Sequence, residues 1–361
     1  MMKMSFSNVQ IGLIACILLL GCRQKSVDKQ DGVEVINIVN NLGLYKAIPA
    51  SEFISELKYI SLETGNDCLI GEYIRDIVVT ATHIFVTGSD YCYAFNRDGK
   101  FITPIGSIGQ GPGEYQTLKG LSVDKNNQTL YLEIPYSLLE YSWDGVFRQS
   151  ISIPKTKIEF PLDHVSFVRD NLFIGHVANF SGNEVYNFLL FDKTGQVVKS
   201  FDNHVKIDHT MPSYFIADFA MQPFRISERI YVKENSNDTL YCLNEQNELT
   251  PQYLFDLGKY GFTKEKRIDA DYMEAMKGLI LIPDLSLPYI VGTHHYIFFS
   301  LLESGLPTNI SFPQKEDRPF VVPFGFQIIR GPESHSLVGI YNITNKKTMF
   351  LDTDPEFSIL S

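Results

Sequence analysis

Short apolar runs separated by polar, glycine-containing turns recur along the chain, and the clearest set lies between Ile74 and Tyr115. Its runs are Ile77–Thr80, Ile84–Gly88, Cys92–Asn96 and Phe101–Gly106, a spacing that predicts one antiparallel meander of four strands. A second set follows at Leu121–Asp124, Thr129–Ile134, Leu138–Tyr141 and Val146–Ile153, a third spans His164–Phe201, and a fourth spans Phe224–Leu257. The turn Asn96-Arg97-Asp98-Gly99 returns as Ser142-Trp143-Asp144-Gly145, Asp192-Lys193-Thr194-Gly195 and Asn244-Glu245-Gln246-Asn247. Successive spacings of its last residue are 46, 50 and 52.

A period of about 49 residues with several strands per unit is the length of a propeller blade, and dividing Ile70 to Leu351 by it gives nearly six units. Tyr289–Leu302 and Phe320–Leu351 supply strand material for the last two. Val33–Val39 and Leu57–Leu62 predict two strands ahead of the first unit. The second of these is expected to complete the final blade and tie the chain's ends together, because an open row of sheets leaves unpaired edges. Thr263–Lys277 is rich in helix formers, with Thr263 as N-cap and Gly278 as stop, and predicts one short helical insertion. The expected fold is therefore all-β: a six-bladed β-propeller closed by an N-terminal strand, forming a single domain over residues 33–361.

The N-terminus changes the picture of where such a domain resides. Lys3 precedes an apolar core, Val9–Leu20, that is too short to span a bilayer comfortably and reads as a secretory signal. Leu19-Leu20-Gly21-Cys22 resembles the bacterial lipobox, which implies residues 1–21 as a lipoprotein signal peptide and Cys22 as the lipid attachment site. Residues 22–32 are polar and suit a flexible tether. The formal charge is −11, and it becomes −12 once residues 1–21, whose sole charge is Lys3, are removed. That balance opposes nucleic acid and basic-patch binding to anionic membranes. Cys68, Cys92 and Cys242 remain as an odd, widely spaced set, expected as buried free thiols rather than a disulfide framework.

SELKYISLET (Ser55–Thr64), AFNRDGKFITPIGSIGQGPGEY (Ala94–Tyr115) and the repeated aromatic, Asp and Gly turns together resemble the six-bladed β-propeller lipoproteins of Bacteroidetes, a domain of unknown function. The resemblance covers most of the mature chain. It implies a propeller on a lipid anchor in the cell envelope at the outer membrane, with the periplasmic or surface face open, and no settled ligand. In such lipoproteins acidic residues after the Cys favour surface export, whereas RQKS follows Cys22 here.

Candidate chemistry is sparse. Gly109, Gly111 and Gly113 suggest a phosphate loop, but the P-loop Lys is missing and no helix is predicted to follow, so a tight corner is the stronger reading. Glu114 and Tyr115 at its end are candidates to line a ligand mouth. Arg75, Asp76 and Asp124, near the first strands of blades, are candidates to face the central channel, set against the reading that such charges satisfy one another. His294 and His295 are adjacent in a strand and point to opposite faces. His204, Asp208 and His209, and likewise Asp269, Asp271 and Glu274, read as solvated polarity rather than metal sites. There is no HExxH and no GxSxG. No cofactor or metal is implied. The expected role is an envelope-anchored binding or scaffolding module for a glycan or protein partner. The alternative is a propeller hydrolase or lyase with a metal in the channel.

Overall fold

The computed structural model describes residues 32–46, 49–71, 73–155, 162–178, 184–203, 223–234, 237–261, 285–303 and 335–351. The predicted signal segment, Cys22 and residues 23–31 of the predicted tether, and the predicted helix at Thr263–Lys277, lie outside the described residues. Two short strands come first, β1 (Glu34–Asn37) and β2 (Tyr45–Lys46). Sheet 1 is β3 (Asp76–Val79), β4 (His83–Thr87), β5 (Cys92–Asn96) and β6 (Phe101–Pro104). A parallel pair, β7 (Ser107–Ile108) and β8 (Glu114–Tyr115), forms the corner that follows. Sheet 2 is β9 (Gly120–Asp124), β10 (Thr129–Ile134), β11 (Ser137–Ser142) and β12 (Phe147–Ser152). Sheet 3 is β13 (Asp163–Arg169), β14 (Leu172–His176), β15 (Tyr186–Asp192) and β16 (Val197–Asp202). Sheet 4 is β17 (Phe224–Ile226), β18 (Arg229–Val232), β19 (Thr239–Leu243) and β20 (Leu249–Asp256). Sheet 5 is β21 (Leu285–Gly292), β22 (Tyr296–Glu303), β23 (His335–Asn342) and β24 (Lys347–Leu351). Each is an antiparallel meander in chain order.

The strand sequences follow from this stacking. A second strand is covered on both faces by neighbouring sheets, so β4, β10 and β14 are near-continuous apolar runs, almost wholly buried. Of the outer strands, β12 is mostly exposed and β16 half so, and both carry polar residues. The recurrent turn joins the third strand to the fourth. Gly99, Gly145 and Gly195 sit at φ near +81°, +83° and +80°, with Asn247 at +60°. Each donates its N–H to the residue three before it, as in Gly99 N to Asn96 O at 3.0 Å. Left-handed backbone explains why glycine fills three of these positions and Asn, which tolerates that region, the fourth.

Apolar clusters lie between successive sheets. Phe85 and Ala94 meet Leu121, Leu132 and Trp143 between sheets 1 and 2; Tyr131 and Leu138 meet Phe167 and Phe173 between 2 and 3. Ile174 and Leu190 meet Ile230 and Val232 between 3 and 4. Phe255 and Leu240 meet Phe299, Ile297 and Phe350 between 4 and 5. First strands of successive sheets lie side by side in the pairs β3 and β9, β9 and β13, and β17 and β21. Sheets stacked face to face with their first strands innermost are the arrangement of a β-propeller.

Two expectations are corrected. The described residues form five four-stranded meanders, not six, because the chain assigned to the last two units builds one sheet: β22 pairs directly with β23, from Tyr296↔Asn342 to Glu303↔His335. Leu57–Leu62 is not a strand and does not join the last sheet. Glu63 N donates to Gly99 O at 2.8 Å, and Ile60 and Leu62 pack with Cys68, Ile70 and Ile74 on Ile84, Val86 and Phe95 of sheet 1. The outer edges of the last two sheets are instead taken by β1, parallel to β20, and β2, parallel to β24. The N-terminal segment thus runs from sheet 4 to sheet 5 to sheet 1.

Candidate functional site

Every first strand begins at one end of the sheets, here the upper rim, and the recurrent turns lie at the other, the lower rim. Arg75 and Asp76, candidates to face the central channel, stand at the upper rim and bind the neighbouring sheet. Arg75 Nη1 donates to Lys119 O at 3.4 Å, just ahead of β9. The Asp76 carboxylate accepts from the Leu121 N–H of β9 and is hydrogen-bonded to Thr87. Burial raises its pKa from 3.8 to about 6, against the lowering effect of Arg75 and these bonds. Its Oδ2 is enclosed without a hydrogen-bond partner.

The same device recurs at the next interfaces. Buried Glu133, near the end of β10, accepts from Val165 N of β13 at 2.9 Å, and Ser122 Oγ accepts from Phe167 N at 3.1 Å. Arg225 of β17 donates to Phe167 O and Val168 O at 3.0 and 2.7 Å. Buried Glu140 accepts from Lys193 Nζ of sheet 3 at 3.0 Å. Charge at these positions joins sheet to sheet.

The remaining predicted residues also have local work. Glu114 Oε2 accepts from Gly111 N at 2.8 Å, and Tyr115 is buried with its hydroxyl donating to Ile105 O at 3.2 Å. The Tyr141 hydroxyl donates to Gly113 O, and a Cβ on Gly113, at φ +78°, would meet Phe147 at 2.7 Å. The glycine-rich stretch is thus a packed corner, and Tyr115 lines no mouth. Asp124 lies at the other end of β9, where its carboxylate accepts from Asn126 N, Asn127 N and Asn127 Nδ2 at 3.0, 3.2 and 2.8 Å. It closes its own turn and does not meet Arg75 or Asp76. Cys68, Cys92 and Cys242 are buried free thiols, as expected.

Sequence reading missed what the upper rim presents to solvent. Four tyrosines are exposed among the described residues, and three of them, Tyr73 (59%), Tyr136 (55%) and Tyr186 (36%), stand at this rim. Tyr136 fills the turn between β10 and β11, and Tyr186 opens β15, so the two occupy matching places on neighbouring sheets. Below Tyr186 a shallow cavity of about 260 Å³ runs down the flank of sheet 3, lined by Lys155, Val177, Glu184, Tyr186 and Ser200 and reaching Val197 at the start of β16. Tyr136 O accepts from Ile153 N at 3.0 Å, which places it next to the chain that carries Lys155. The available signal was a tyrosine directly ahead of the third run in two units, Tyr91 and Tyr136. In sheet 1 that tyrosine is buried and its hydroxyl donates to Tyr73 O at 3.4 Å, which leaves Tyr73 as the exposed one.

Among the described residues no three His, Cys, Asp or Glu side chains come together as metal ligands. His204, Asp208, His209, Asp269, Asp271 and Glu274 lie outside the described residues. Among those described, no helix is long and apolar enough to cross a membrane.

Fold and rim together define a β-propeller with apolar clusters between its sheets and a tyrosine-bearing end. The sequence profile described as a domain of unknown function, DUF4934, matches residues 33–359, and the chain belongs to that family. A crystal structure of a protein described as exported, from Bacteroides fragilis, is similar at a TM-score of 0.61 and 16% identity, over 88% of this chain and 79% of that one. A DUF4221 member from Bacteroides vulgatus gives 0.48 and 9%, over 80% and 83%. Virginiamycin B lyase from Staphylococcus aureus gives 0.39 and 10%, over 77% and 69%. Only the first likeness is strong enough to speak for the fold. No curated protein matches the chain.

Proposed function

We propose that this chain is an envelope-tethered binding module, held to a membrane by a lipid on Cys22 and engaging a glycan or protein partner at the upper rim of sheets 2 and 3. The observations that carry the reading are the cavity lined by Tyr186 and the exposed Tyr136 at the matching place on sheet 2. At about 260 Å³ it falls below the roughly 300–1,000 Å³ of sites that enclose small molecules. It suits one ring or one side chain of a larger ligand, with the rest lying across the rim. Tyrosine combines a flat apolar face with a hydroxyl at small entropic cost, which is why exposed tyrosines concentrate at recognition surfaces. The exported character of the Bacteroides fragilis structure and the lipobox resemblance support the envelope location.

Titration against envelope glycans and pull-down from envelope extract, each with wild type and with Tyr136→Ala/Tyr186→Ala, test this. Binding by the wild type that falls at least tenfold in the double variant is expected. A partner bound equally by both, or metal-dependent turnover without stable binding, refutes it.

A further inference from the structure

The outer edges of the sheets are closed in different ways. Sheets 4 and 5 carry a fifth strand beyond β20 and β24, parallel to its neighbour in each case. β1 shows what such a strand does: its backbone follows β20 from Glu34↔Tyr253 to Asn37↔Asp256, and its Ile36 is fully buried in the apolar cluster between sheets 4 and 5. On sheet 1, Phe101 N of the outer strand donates to Glu63 Oε2 at 3.2 Å, and the strand ends in Pro104, which has no N–H to offer. On sheet 2 the exposed residues of β12 are Arg148, Gln149, Ser150 and Ser152, a polar edge that discourages pairing. Sheet 3 differs. Among the described residues β16 is the last strand of its sheet, and it opens with Val197, 41% exposed, and Val198, 50% exposed. Its Lys199 lies over the Phe201 ring, 5.9 Å from the centroid. The cavity runs beside this strand, with Val197 and Ser200 in its wall.

We infer that, resting on the binding role proposed above, the partner is a protein that adds an extended segment to β16, parallel to it as β1 is to β20, and seats one apolar side chain in the cavity. An outer strand leaves alternate N–H and C=O groups on its free side, and an added strand satisfies them with its own backbone. The cavity then selects the side chain. Val177, Val185, Leu189 and Val197 make up half of its wall, so a sugar ring would turn hydroxyls toward carbon and leave them unpaired, which an aliphatic or aromatic side chain does not. Tyr186 pairs with Asp202 at the upper end of β16, so a parallel segment leaves the edge beside that tyrosine. A strand here continues on sheet 3 the arrangement that β1 and β2 make on the next two sheets.

The test selects a phage-displayed library of linear peptides against the full chain. Selected peptides are titrated against wild type, Val197→Lys/Val198→Lys and Tyr136→Ala/Tyr186→Ala, and amide exchange is followed with and without them. Both lysines replace exposed residues, so the core is left intact. Peptides with alternating apolar residues are expected, with affinity at least about tenfold lower for the lysine variant, and with exchange of β16 amides slowed at least about tenfold while β12 amides are unchanged. No selected peptide, equal binding by wild type and lysine variant, or β16 amides as protected in the free chain as those of β20, overturns the inference. Envelope glycans bound alike by wild type and lysine variant but lost in the tyrosine variant overturn it and leave the binding role standing. Wild type that binds neither peptide, glycan nor extract partner overturns both.

Discussion

Replacing Asp76 by Asn probes how charge is accommodated between sheets 1 and 2. The carboxyl is enclosed at the upper rim, and burial lifts its pKa from 3.8 to about 6 despite Arg75 and bonds from Leu121 and Thr87. A raised carboxylate pKa means that the folded chain holds its proton more firmly than the unfolded one, so stability falls as pH rises between those values. The contribution is fully present below pH 3.8, shrinks through the window, and is gone above about 6. The difference corresponds to about 3 kcal/mol at its limit. Asn has nearly the same shape, can still accept from Leu121 N–H, and never ionises. Asp76→Asn is therefore expected to be stabilised over wild type by about 1–3 kcal/mol at pH 8, less whatever attraction to Arg75 is lost, and to match it within about 0.5 kcal/mol near pH 4. Urea midpoints of both proteins between pH 4 and 8 provide the measurement. A variant less stable than wild type at pH 8, or two proteins with parallel pH profiles, would refute the reasoning.

Other expectations follow from the same contacts. Glu133→Ala leaves Val165 N–H buried and unpaired and should cost about 1–3 kcal/mol in urea unfolding, whereas Glu133→Gln, which keeps an acceptor, should lose less than half of that. At Gly195, φ +80° with a would-be Cβ 2.8 Å from Ser152 O, Val should cost at least about 1 kcal/mol more than Asn by thermal melting. Ile36→Ala removes a fully buried side chain of β1 and should cost about 2–4 kcal/mol, with hydrogen exchange of β20 amides rising before that of sheet 2.

Local signals carried much of the architecture. The glycines at 99, 145 and 195 had to be glycine or Asn because their backbone is left-handed, and that requirement is visible in one turn at a time. Strand periodicity was equally legible, down to the four runs of sheet 2. The pairings across long intervals were not: nothing in Tyr296–Glu303 declares that its partner is His335–Asn342 rather than a strand close by, and counting units by length therefore made two blades of one. Leu57–Leu62 reads as a strand, but Ile60 and Leu62 serve a face of sheet 1, and the short β2 took the place beside β24. At the site, Arg75 and Asp76 are legible as charges near a first strand, while their partners Lys119 and Leu121 depend on how two sheets meet. Exposure of Tyr136 and Tyr186 is a property of the rim as a whole, so single residues could not announce it.

The junction of β2 with β24 sets Tyr45 beside Phe350. Among the described residues, one of the first segments to emerge from the ribosome is thus held by the last strand to be made. Sheet 5 cannot acquire its outer strand until β24 has been made, and sheet 4 waits for β20 before Glu34–Asn37 can dock. Contacts this remote in sequence delay folding. Until those strands arrive, the two N-terminal strands have no edge to occupy, while sheets 1 to 3, built from neighbouring strands, need nothing from the far end of the chain.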